Sequence, residues 1–417
     1  MNNSKDIISV IDIGSSKISC IQSLTEINGI STIIGEGIIA TKGIKAGIIT
    51  DFNLANDSIL RAIKDCEKQS GHNINKLVVS ISSHKCFTKF IKSKKLIKED
   101  RVLQEDIQSC INDSLEDEFF IDKKIINISS KIFSIDSSNG ITNPLGMFGK
   151  EIEIEFLVTY VGLNQFKNYI ECITSCNVDV NRIIFSIYAA GLAVLNEGEL
   201  ELGSVIVEMG ARTTSIGIFS NSKFIFSNVI NFGGDDITEA LARKLSVSCE
   251  EAEKLKVMHG SVLDTSKENE MLLEIPSINF ENEDSYVQVS NQNIYDIIRP
   301  FYDEILIWIN NSIDKSGNSN LIGRVMIFTG GASQIEGLSI LANNKYNFNS
   351  RIGVAKNIKF KFNHTLDASH SVIAGLIQNE LNLIDKNKVN SLAGQNKNIK
   401  KKINFTFIKQ WLAENFF

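Results

Sequence analysis

A strand that carries an acid, followed by a glycine turn and a second strand, occurs twice in this sequence. The first copy is "VIDIGSSK", Val10 to Lys17, and the second is "IVEMGARTTSIG", Ile206 to Gly217. An acid, Asp12 or Glu208, interrupts the apolar run of each copy. Recurrence at the start of each half favours a duplicated domain, although chance similarity between two ordinary hairpins remains open. We expect the second hairpin to be one residue longer than the first.

Composition narrows the class of protein. The 417 residues are 43% hydrophobic and 22% charged, which is typical of a globular chain of two to four domains. The net charge of −6 argues against nucleic acid as a partner. The seven cysteines form no C-x-x-C motif, so we expect reduced, mostly buried thiols and neither a zinc site nor disulfides. We also expect no signal peptide and no transmembrane helix.

Hydrophobic periodicity predicts strands and helices in α/β order. In the first half it predicts strands Ile7–Ile13, Ile18–Leu24, Gly29–Ala40 and Leu77–Ile81, and a helix Asp51–Ser70. Between residues 84 and 163 it predicts a helix Glu105–Asp117 and strands Ile125–Ile135 and Glu151–Val161. In the second half it predicts a strand Lys223–Asn231, a helix opened by a Ser248–Glu251 capping box, an irregular, strand-poor segment Asp264–Ser290, and helices Ile294–Ile313 and His370–Leu383.

The first hairpin has the composition of a phosphate-binding loop. Gly14 permits a backbone conformation with φ > 0, Ser15 and Ser16 add small hydroxyl donors, and Lys17 adds a positive charge. Asp12 is predicted to hold Mg²⁺ through water, because direct contact between an acid and phosphate would be repulsive. A plain hairpin turn with a capped aspartate remains the alternative.

Three further elements would complete a nucleotide site. The second hairpin and the segment after it are predicted to hold the phosphates from the opposite side through Glu208, Gly210, Thr213, Thr214, Gly233 and Gly234. The "TGGAS" turn is predicted to let a flat ring approach the backbone at Gly330, Gly331 and Ala332. Glu253 and Lys256 are predicted to bind a ribose, with a solvated ion pair as the alternative. Each signal is weak alone, and together they favour nucleotide binding.

With these four elements in this order, the sequence resembles the actin/Hsp70/sugar-kinase superfamily, and within it the FtsA family of bacterial cell-division proteins. The motifs that carry the resemblance are "GEGIIATKGIKAGIITD", "NPLGMFG", "GGDDITEALARKL", "EEAEKLKVMHG" and "TGGASQIEGL". It implies an actin-like, two-lobed ATPase fold of the α/β class, with duplicated mixed-sheet domains and an inserted α+β subdomain. It also implies a protein that binds ATP and Mg²⁺ and tethers FtsZ polymers to the cytoplasmic face of the inner membrane at the division septum. A small-molecule kinase of the superfamily and an actin-like scaffold of pilus assembly remain as alternatives.

The resemblance also implies a division of the chain into parts. These are a first lobe at 1–83 and 164–200, an insertion at 84–163, a second lobe at 201–383 with a smaller subdomain at about 237–315, a flexible linker at 384–402 and an amphipathic membrane-targeting helix at 403–417. The insertion would engage other FtsA subunits in a polymer, or later division proteins. On the helix predicted at Ile294–Ile313, Arg299, Asp303 and Glu304 are candidates for binding the C-terminal peptide of FtsZ, although ordinary solvated charges are almost as well supported.

The second loop departs from the family pattern D-x-G-G-G-T-T-D. Glu208 is longer than aspartate, Arg212 replaces a glycine, and Ser215 replaces an acid. Arg212 would either obstruct close approach of the backbone or add a positive charge to the phosphates. We therefore predict that nucleotide binding is kept and that hydrolysis is weak or absent.

The last residues have the pattern of an in-plane membrane helix. Its predicted membrane-binding residues are Phe405, Phe407, Ile408, Lys409, Trp411, Leu412 and Phe416. Lysines near an anionic surface contribute about 1 kcal/mol each, whereas ordering the tail costs about 1–2 kcal/mol per residue. One tail should therefore bind reversibly and a polymer of tails more tightly. A helix that docks back on the protein remains the alternative.

Overall fold

The computed structural model describes residues 6–25, 30–117, 122–264, 272–277, 286–356, 358–360 and 365–392. The first lobe begins with an antiparallel meander, a small hairpin, a helix and a further strand. These elements are β1 Ile7–Ile13, β2 Lys17–Thr25, β3 Ser31–Ala40, β4 Ile44–Lys45, β5 Ile48–Ile49, α1 Phe52–Ser70 and β6 Lys76–Ile81. The strands and the helix predicted for this part of the chain are confirmed.

Local signals fix both ends of α1. The Asp51 carboxylate accepts a hydrogen bond from the Leu54 amide at 3.0 Å, which satisfies one of the free donors at the helix start. Gly71 follows the last turn with φ 76°, a left-handed conformation that favours glycine. The helix packs on β3 so closely that a Cβ at Gly37 would lie 2.0 Å from the Ala62 carbonyl oxygen.

An inserted subdomain follows β6 and has its own core. Its elements are β7 Cys86–Leu96, α2 Gln104–Asp117, β8 Lys123–Ile135, β9 Ser138–Ile141 and β10 Glu151–Gly162. They form an antiparallel sheet in the order β7-β10-β8-β9. Strand β7 was not predicted, because lysines obscure its alternation. Lys92 and Lys94 pair with Glu153 of β10 at 2.6 and 3.0 Å, and lysine is common on such an edge strand.

The chain then returns to the first lobe and continues into the second. The returning elements are α3 Leu163–Thr174, β11 Asp179–Phe185, α4 Ser186–Val194 and α5 Glu197–Leu202. The second lobe contains β12 Ser204–Met209, β13 Thr214–Ser220, β14 Lys223–Ile230, α6 Gly234–Leu245, α7 Cys249–His259, β15 Leu272–Pro276, β16 Tyr286–Ser290, α8 Asn291–Ser316, β17 Val325–Thr329, α9 Leu338–Tyr346 and β18 Asn349–Ile352. The last elements among the described residues are β19 Ile358–Phe360 and α10 Ser371–Leu392.

The two lobes share one topology. The first sheet runs β11-β6-β1-β2-β3-β19 and the second runs β18-β17-β12-β13-β14. In both, an antiparallel meander is followed by two parallel strands on the side of its first strand. The cross-strand pair Asp12–Ser19 in the first sheet matches the pair Glu208–Ser215 in the second. The predicted duplication of mixed-sheet domains is confirmed.

The last two elements close the first lobe. Strand β19 pairs in parallel with β3, and the buried residues of α10 belong to the core of the first lobe. Helix α10 packs on α4 at short range, because a Cβ at Gly375 would lie 1.8 Å from the Ala189 carbonyl oxygen. The helix continues to Leu392, beyond the predicted end at Leu383, since residues 384–392 contain no glycine or proline to stop it.

The inserted subdomain also contacts the second lobe. The Thr88 hydroxyl of β7 donates to the Ser227 carbonyl oxygen of β14 at 3.0 Å. The Ser129 hydroxyl of β8 donates to the Phe224 carbonyl oxygen of the same strand, also at 3.0 Å. The insertion therefore connects the edge of the second sheet to the first lobe from which it emerges.

Two local predictions for the second lobe need correction. Residues Asp264–Ser290 are not strand-poor: β15 and β16 pair antiparallel, with Leu273 opposite Val289 and Ile275 opposite Val287. The predicted Ser248–Glu251 capping box is only half present among the described contacts. The Ser248 hydroxyl accepts from the Glu251 amide, but the Glu251 carboxylate pairs with Lys254 at 2.7 Å.

Candidate functional site

The two glycine hairpins open onto one cavity between the lobes, with a volume of about 340 Å³. The predicted residues that line it are Asp12, Gly14, Ser15, Ser16, Lys17, Glu208, Gly210, Gly234, Glu253, Lys256, Gly330, Gly331 and Ala332. The other predicted site residues, Arg212, Thr213, Thr214 and Gly233, lie behind this wall. Hence residues more than 300 positions apart in the sequence meet at one site.

The hairpin turns are built alike. The Gly14 amide donates to the Lys17 carbonyl oxygen at 3.1 Å, and the Gly210 amide donates to the Thr213 carbonyl oxygen at 2.9 Å. The turns are equal in length, so the expectation of an extra residue in the second was wrong; the strand register aligns Lys17 with Thr213. A Cβ at Gly14 would lie 2.9 Å from the Lys17 carbonyl oxygen, which explains the glycine.

Asp12 interrupts β1 because its carboxylate faces the cavity. The Ser80 hydroxyl donates a hydrogen bond to it. Burial raises the pKa of Asp12, while the Ser80 hydrogen bond and the charge of Lys17 oppose that rise. Lys17 also donates to the Ser369 hydroxyl at 3.0 Å, which brings the start of α10 to the first hairpin.

Glu208 is the second acid at this cavity and only 8% exposed. Burial, and after it the charge of Asp12, raises the pKa of Glu208 to about 8. The two acids therefore repel each other when both are charged, and a cation near them would relieve that repulsion. Within the described residues no group of three or more His, Cys, Asp or Glu side chains is placed to hold a metal ion. The two acids are better suited to a hydrated Mg²⁺ that is also bound by phosphates than to a metal site made of protein ligands alone.

Four backbone donors are suited to phosphate. The amides of Ser15, Ser16, Ala211 and Arg212 have no acceptor within the part of the chain that the structure describes. In contrast, the Gly234 amide donates to the Gly210 carbonyl oxygen at 2.9 Å. The cradle for an anion is thus formed by the two turns, and the start of α6 supports the second turn from behind.

The other residues predicted behind the second turn have structural contacts. The Gly233 amide donates to the Asp236 carboxylate at 2.8 Å, and a Cβ at Gly233 would lie 2.6 Å from the Ala211 carbonyl. The Thr214 hydroxyl donates to the Phe232 carbonyl oxygen at 2.9 Å. Thr213 is likewise buried. These residues shape the turn and do not line the cavity.

The TGGAS turn after β17 requires a glycine at its start for steric reasons. Gly330 has φ 87°, and a Cβ there would lie 2.5 Å from the Met209 carbonyl oxygen. The following 3₁₀ turn, Gly331–Gln334, is held by the Tyr302 hydroxyl, which donates to the Ala332 carbonyl oxygen at 2.7 Å. This element forms the wall of the cavity that comes from β17.

Glu253 and Lys256 form more than a solvated ion pair. The Lys256 side chain is 11% exposed and lies 2.6 Å from the Glu253 carboxylate. Its ammonium group also donates to the Gly234 carbonyl oxygen at 2.9 Å and to the Thr238 hydroxyl at 2.7 Å. The pair therefore joins α7 to α6 at the cavity wall.

Sequence reasoning missed part of the lining. The additional residues are Ala211, Asp235, Val257, Gln334, Ser369, Ser371 and Val372. The Asp367 carboxylate accepts from the Ser369 amide at 2.8 Å. A capping aspartate followed by small hydroxyl residues before an apolar helix was the available signal for this part of the wall.

The remaining predicted residues lie away from this cavity or outside the described chain. Arg299 and Asp303 of α8 pair at 2.9 Å, and Lys345 lies 2.7 Å from the same aspartate. Glu304 is exposed. The predicted membrane-binding residues, Phe405, Phe407, Ile408, Lys409, Trp411, Leu412 and Phe416, lie outside the described residues. None of the described helices is both long and apolar enough to cross a membrane.

Two lobes of equal topology around a common cleft define the actin-like class, and solved structures share this fold. The chain superposes on a chain of a PilM–PilN type IV pilus biogenesis complex with a TM-score of 0.65 at 15% identity, covering 90% of this chain and 98% of that one. It superposes on MreB5 of Spiroplasma citri bound to AMPPNP with a TM-score of 0.55 at 13% identity, covering 92% and 98%.

The chain belongs to the FtsA family of cell division proteins. The family model for cell division protein FtsA matches residues 205–375, and the model for the SHS2 domain inserted in FtsA matches residues 89–160. FtsA of Agrobacterium fabrum is 31% identical over 357 residues, which cover 83% of this chain and 81% of the relative. FtsA of Escherichia coli K12 is 25% identical over 374 residues, which cover 88% of each. The resemblance found in the sequence is confirmed.

Proposed function

We propose that this chain is an ATP-binding, actin-like division protein that tethers FtsZ polymers to the cytoplasmic face of the membrane and helps to assemble the division ring. Its place in the FtsA family supports a role in division. The observation that carries the proposal of nucleotide binding is the meeting of two matched hairpins, Asp12 in one and Glu208 in the other, at one cavity.

The chemistry of the cavity suits Mg²⁺ and a nucleotide triphosphate. Its volume of about 340 Å³ falls within the range of small-molecule sites. The four amides without acceptors in the described chain would bind phosphate oxygens, and Lys17 would add positive charge. Asp12, with Glu208 opposite, would hold the waters of Mg²⁺, which would neutralise the excess of negative charge. The AMPPNP-bound state of the MreB5 structure is consistent with this use of the fold.

We propose that hydrolysis is weak or absent. Glu208 would be occupied with the waters of Mg²⁺, and Ser215 opposite it is not an acid. Activation of water requires a base that is deprotonated and within reach at the working pH. The nucleotide would then act through binding, as a ligand that closes the lobes on one another.

The amphipathic tail would supply membrane attachment, and assembly into a polymer would multiply it. The exposed Glu304, with Arg299 and Asp303 beside it on α8, would contribute to binding of the FtsZ C-terminal peptide. The insertion would contact other FtsA subunits or later division proteins. Arg299, Asp303 and Glu304 do not line the nucleotide cavity, and the tail can be removed without changing any residue that does, so each proposed contact is separately testable.

Binding of a fluorescent ATP analogue, with and without Mg²⁺, tests the nucleotide proposal. Lys17→Ala should weaken binding at least about tenfold, because it removes a charge from the phosphate side. Lys68→Ala, in the last turn of α1, is a matched control and should bind as the wild type does. Binding that is absent in the wild type, or equal in all three proteins, would contradict the proposal.

Sedimentation with anionic vesicles tests the tail. A chain that ends at Lys402 should bind ATP normally and remain in the supernatant. A pull-down with the FtsZ C-terminal peptide tests α8, with Glu304→Lys expected to weaken capture. Vesicle binding that survives the truncation, or capture that is unchanged by the substitution, would contradict the corresponding contact.

A further inference from the structure

Arg212 lies in the turn of the second hairpin, but its side chain points away from the cavity. Its Nε atom lies 2.9 Å from Asp235 Oδ2 and its Nη1 atom 3.4 Å from Asp236 Oδ1, and Nη2 pairs with Glu239. All three acids belong to the first turns of α6. The Arg212 side chain is 17% exposed and its three acidic partners are 31–37% exposed, so these pairs are partly shielded from water. A guanidinium that is so fully engaged has little capacity left for a phosphate.

The backbone of the turn is held by the same helix. The Gly234 amide donates to the Gly210 carbonyl oxygen at 2.9 Å, and the Asp235 amide donates to the Ala211 carbonyl oxygen at 2.8 Å. Side chain and backbone thus fasten the turn to α6 from two directions. The amides of Ala211 and Arg212 itself, which have no acceptor in the described chain, belong to this fastened turn.

Charge gives Arg212 a second effect. The ionisable residues that line the cavity are Asp12, Glu208, Asp235 and Glu253 on the acidic side and Lys17 and Lys256 on the basic side. Acids are in excess where a polyphosphate would bind. Asp235 is the acid of this lining that Arg212 pairs with. Removing the guanidinium would leave a charge at the cavity wall that repels phosphate.

We propose that Arg212 is a positioning residue for nucleotide binding: it holds the 210–213 turn on α6 and neutralises Asp235, and it does not itself contact the phosphates. The inference rests on the proposed function. It also replaces the two alternatives drawn from the sequence, obstruction of the backbone or direct contact with phosphate.

A rescue experiment separates neutralisation from direct contact. Affinity for Mg²⁺ and the ATP analogue would be measured for the wild type, Arg212→Ala, Asp235→Asn and the double variant. Arg212→Ala should bind about tenfold more weakly. Adding Asp235→Asn should recover most of that loss, because the repelling charge is then gone. Arg61→Ala is a matched control: this arginine pairs with Asp57 on the surface of α1 with its side chain 65% exposed, and its loss should have no effect.

Amide hydrogen exchange of the ligand-free protein tests the mechanical half of the proposal. Arg212→Ala should exchange faster than the wild type at residues 210–213 and at the start of α6, whereas Arg212→Lys should fall between them. Unchanged exchange, or unchanged affinity, in Arg212→Ala would overturn the proposal.

A loss of affinity that Asp235→Asn fails to restore, combined with unchanged amide exchange at residues 210–213 in Arg212→Ala, would also overturn it, because the guanidinium would then act on the ligand directly. A wild type that binds no ATP would instead refute the proposed function, and the exchange result would still decide whether Arg212 holds the turn.

Discussion

Replacement of Glu208 by glutamine should change the number of protons released when Mg²⁺ and ATP bind. Burial and the nearby Asp12 raise the pKa of Glu208 to about 8 in the ligand-free protein. At pH 7 this carboxyl group is therefore about 90% protonated. A bound Mg²⁺ favours the charged form of a neighbouring acid, so binding should expel the proton.

The size of the effect follows from the titration curve. Wild type should release about 0.9 proton per ligand from this group at pH 7, about 0.5 at pH 8 and about 0.1 at pH 9. Glu208→Gln carries no titrating proton there, so the difference between the two proteins isolates the group from the proton equilibria of ATP itself.

Isothermal titration calorimetry in buffers of different ionisation enthalpy measures this number directly. The difference between wild type and Glu208→Gln should decline from pH 7 to pH 9. Asp12 is present in both proteins, so the comparison between them concerns the proton of residue 208. A difference near zero at pH 7, with both proteins binding ATP, would show that Glu208 is already charged in the empty cleft or stays protonated beside the ligand, and would refute the reasoning.

Three further results are expected. In the ligand-free protein the folded state keeps the Glu208 proton that an unfolded chain loses near the ordinary glutamate pKa of 4.5. Urea denaturation should therefore show wild-type stability falling, relative to Glu208→Gln, by about 4 kcal/mol between pH 5 and 9, and parallel pH profiles would contradict this. Gly375→Ala should destabilise by about 3 kcal/mol or more in thermal denaturation, because its Cβ meets backbone of α4, whereas Gly162→Ala, in open space, should be tolerated; equal melting temperatures would contradict the packing argument. Thr88→Val with Ser129→Ala removes both hydroxyl bonds between the insertion and β14 and should cost about 1 kcal/mol for each, seen as faster amide exchange in β14; unchanged exchange there would contradict a docked insertion.

The fold was largely accessible from the sequence because its signals are local. Strand β1 and helix α1 have clear periodicity and definite ends, and the matched hairpins disclose the duplication. Strand β7 was missed because its lysines hide the alternation of polar and apolar residues. Those lysines pair with an acid of the neighbouring strand β10, which the sequence of β7 alone does not show. Strands β15 and β16 were missed because each is short and is stabilised as a strand by pairing with the other.

The site could be predicted only in part, because residue types indicate which ligand is suitable but do not show where each side chain lies. The residue types of the hairpins predicted an anion site, and the structure brings those residues to one cavity. What the sequence did not disclose is direction. Arg212 is a residue type that commonly binds phosphate, but here its side chain pairs with three acids of α6. Ser369 joins the wall through a contact with Lys17 that no short motif encodes.

The position of β19 and α10 in the chain has a consequence for biosynthesis. Both complete the first lobe, although they are translated after the whole second lobe. A nascent chain that has left the ribosome as far as β18 would still present an open sheet edge at β3 and an uncovered apolar surface on α4. Domains commonly fold as they emerge, the N-terminal one first. Here the N-terminal lobe must wait for α10, so the two lobes mature together and the exposed intermediate is a natural client for chaperones.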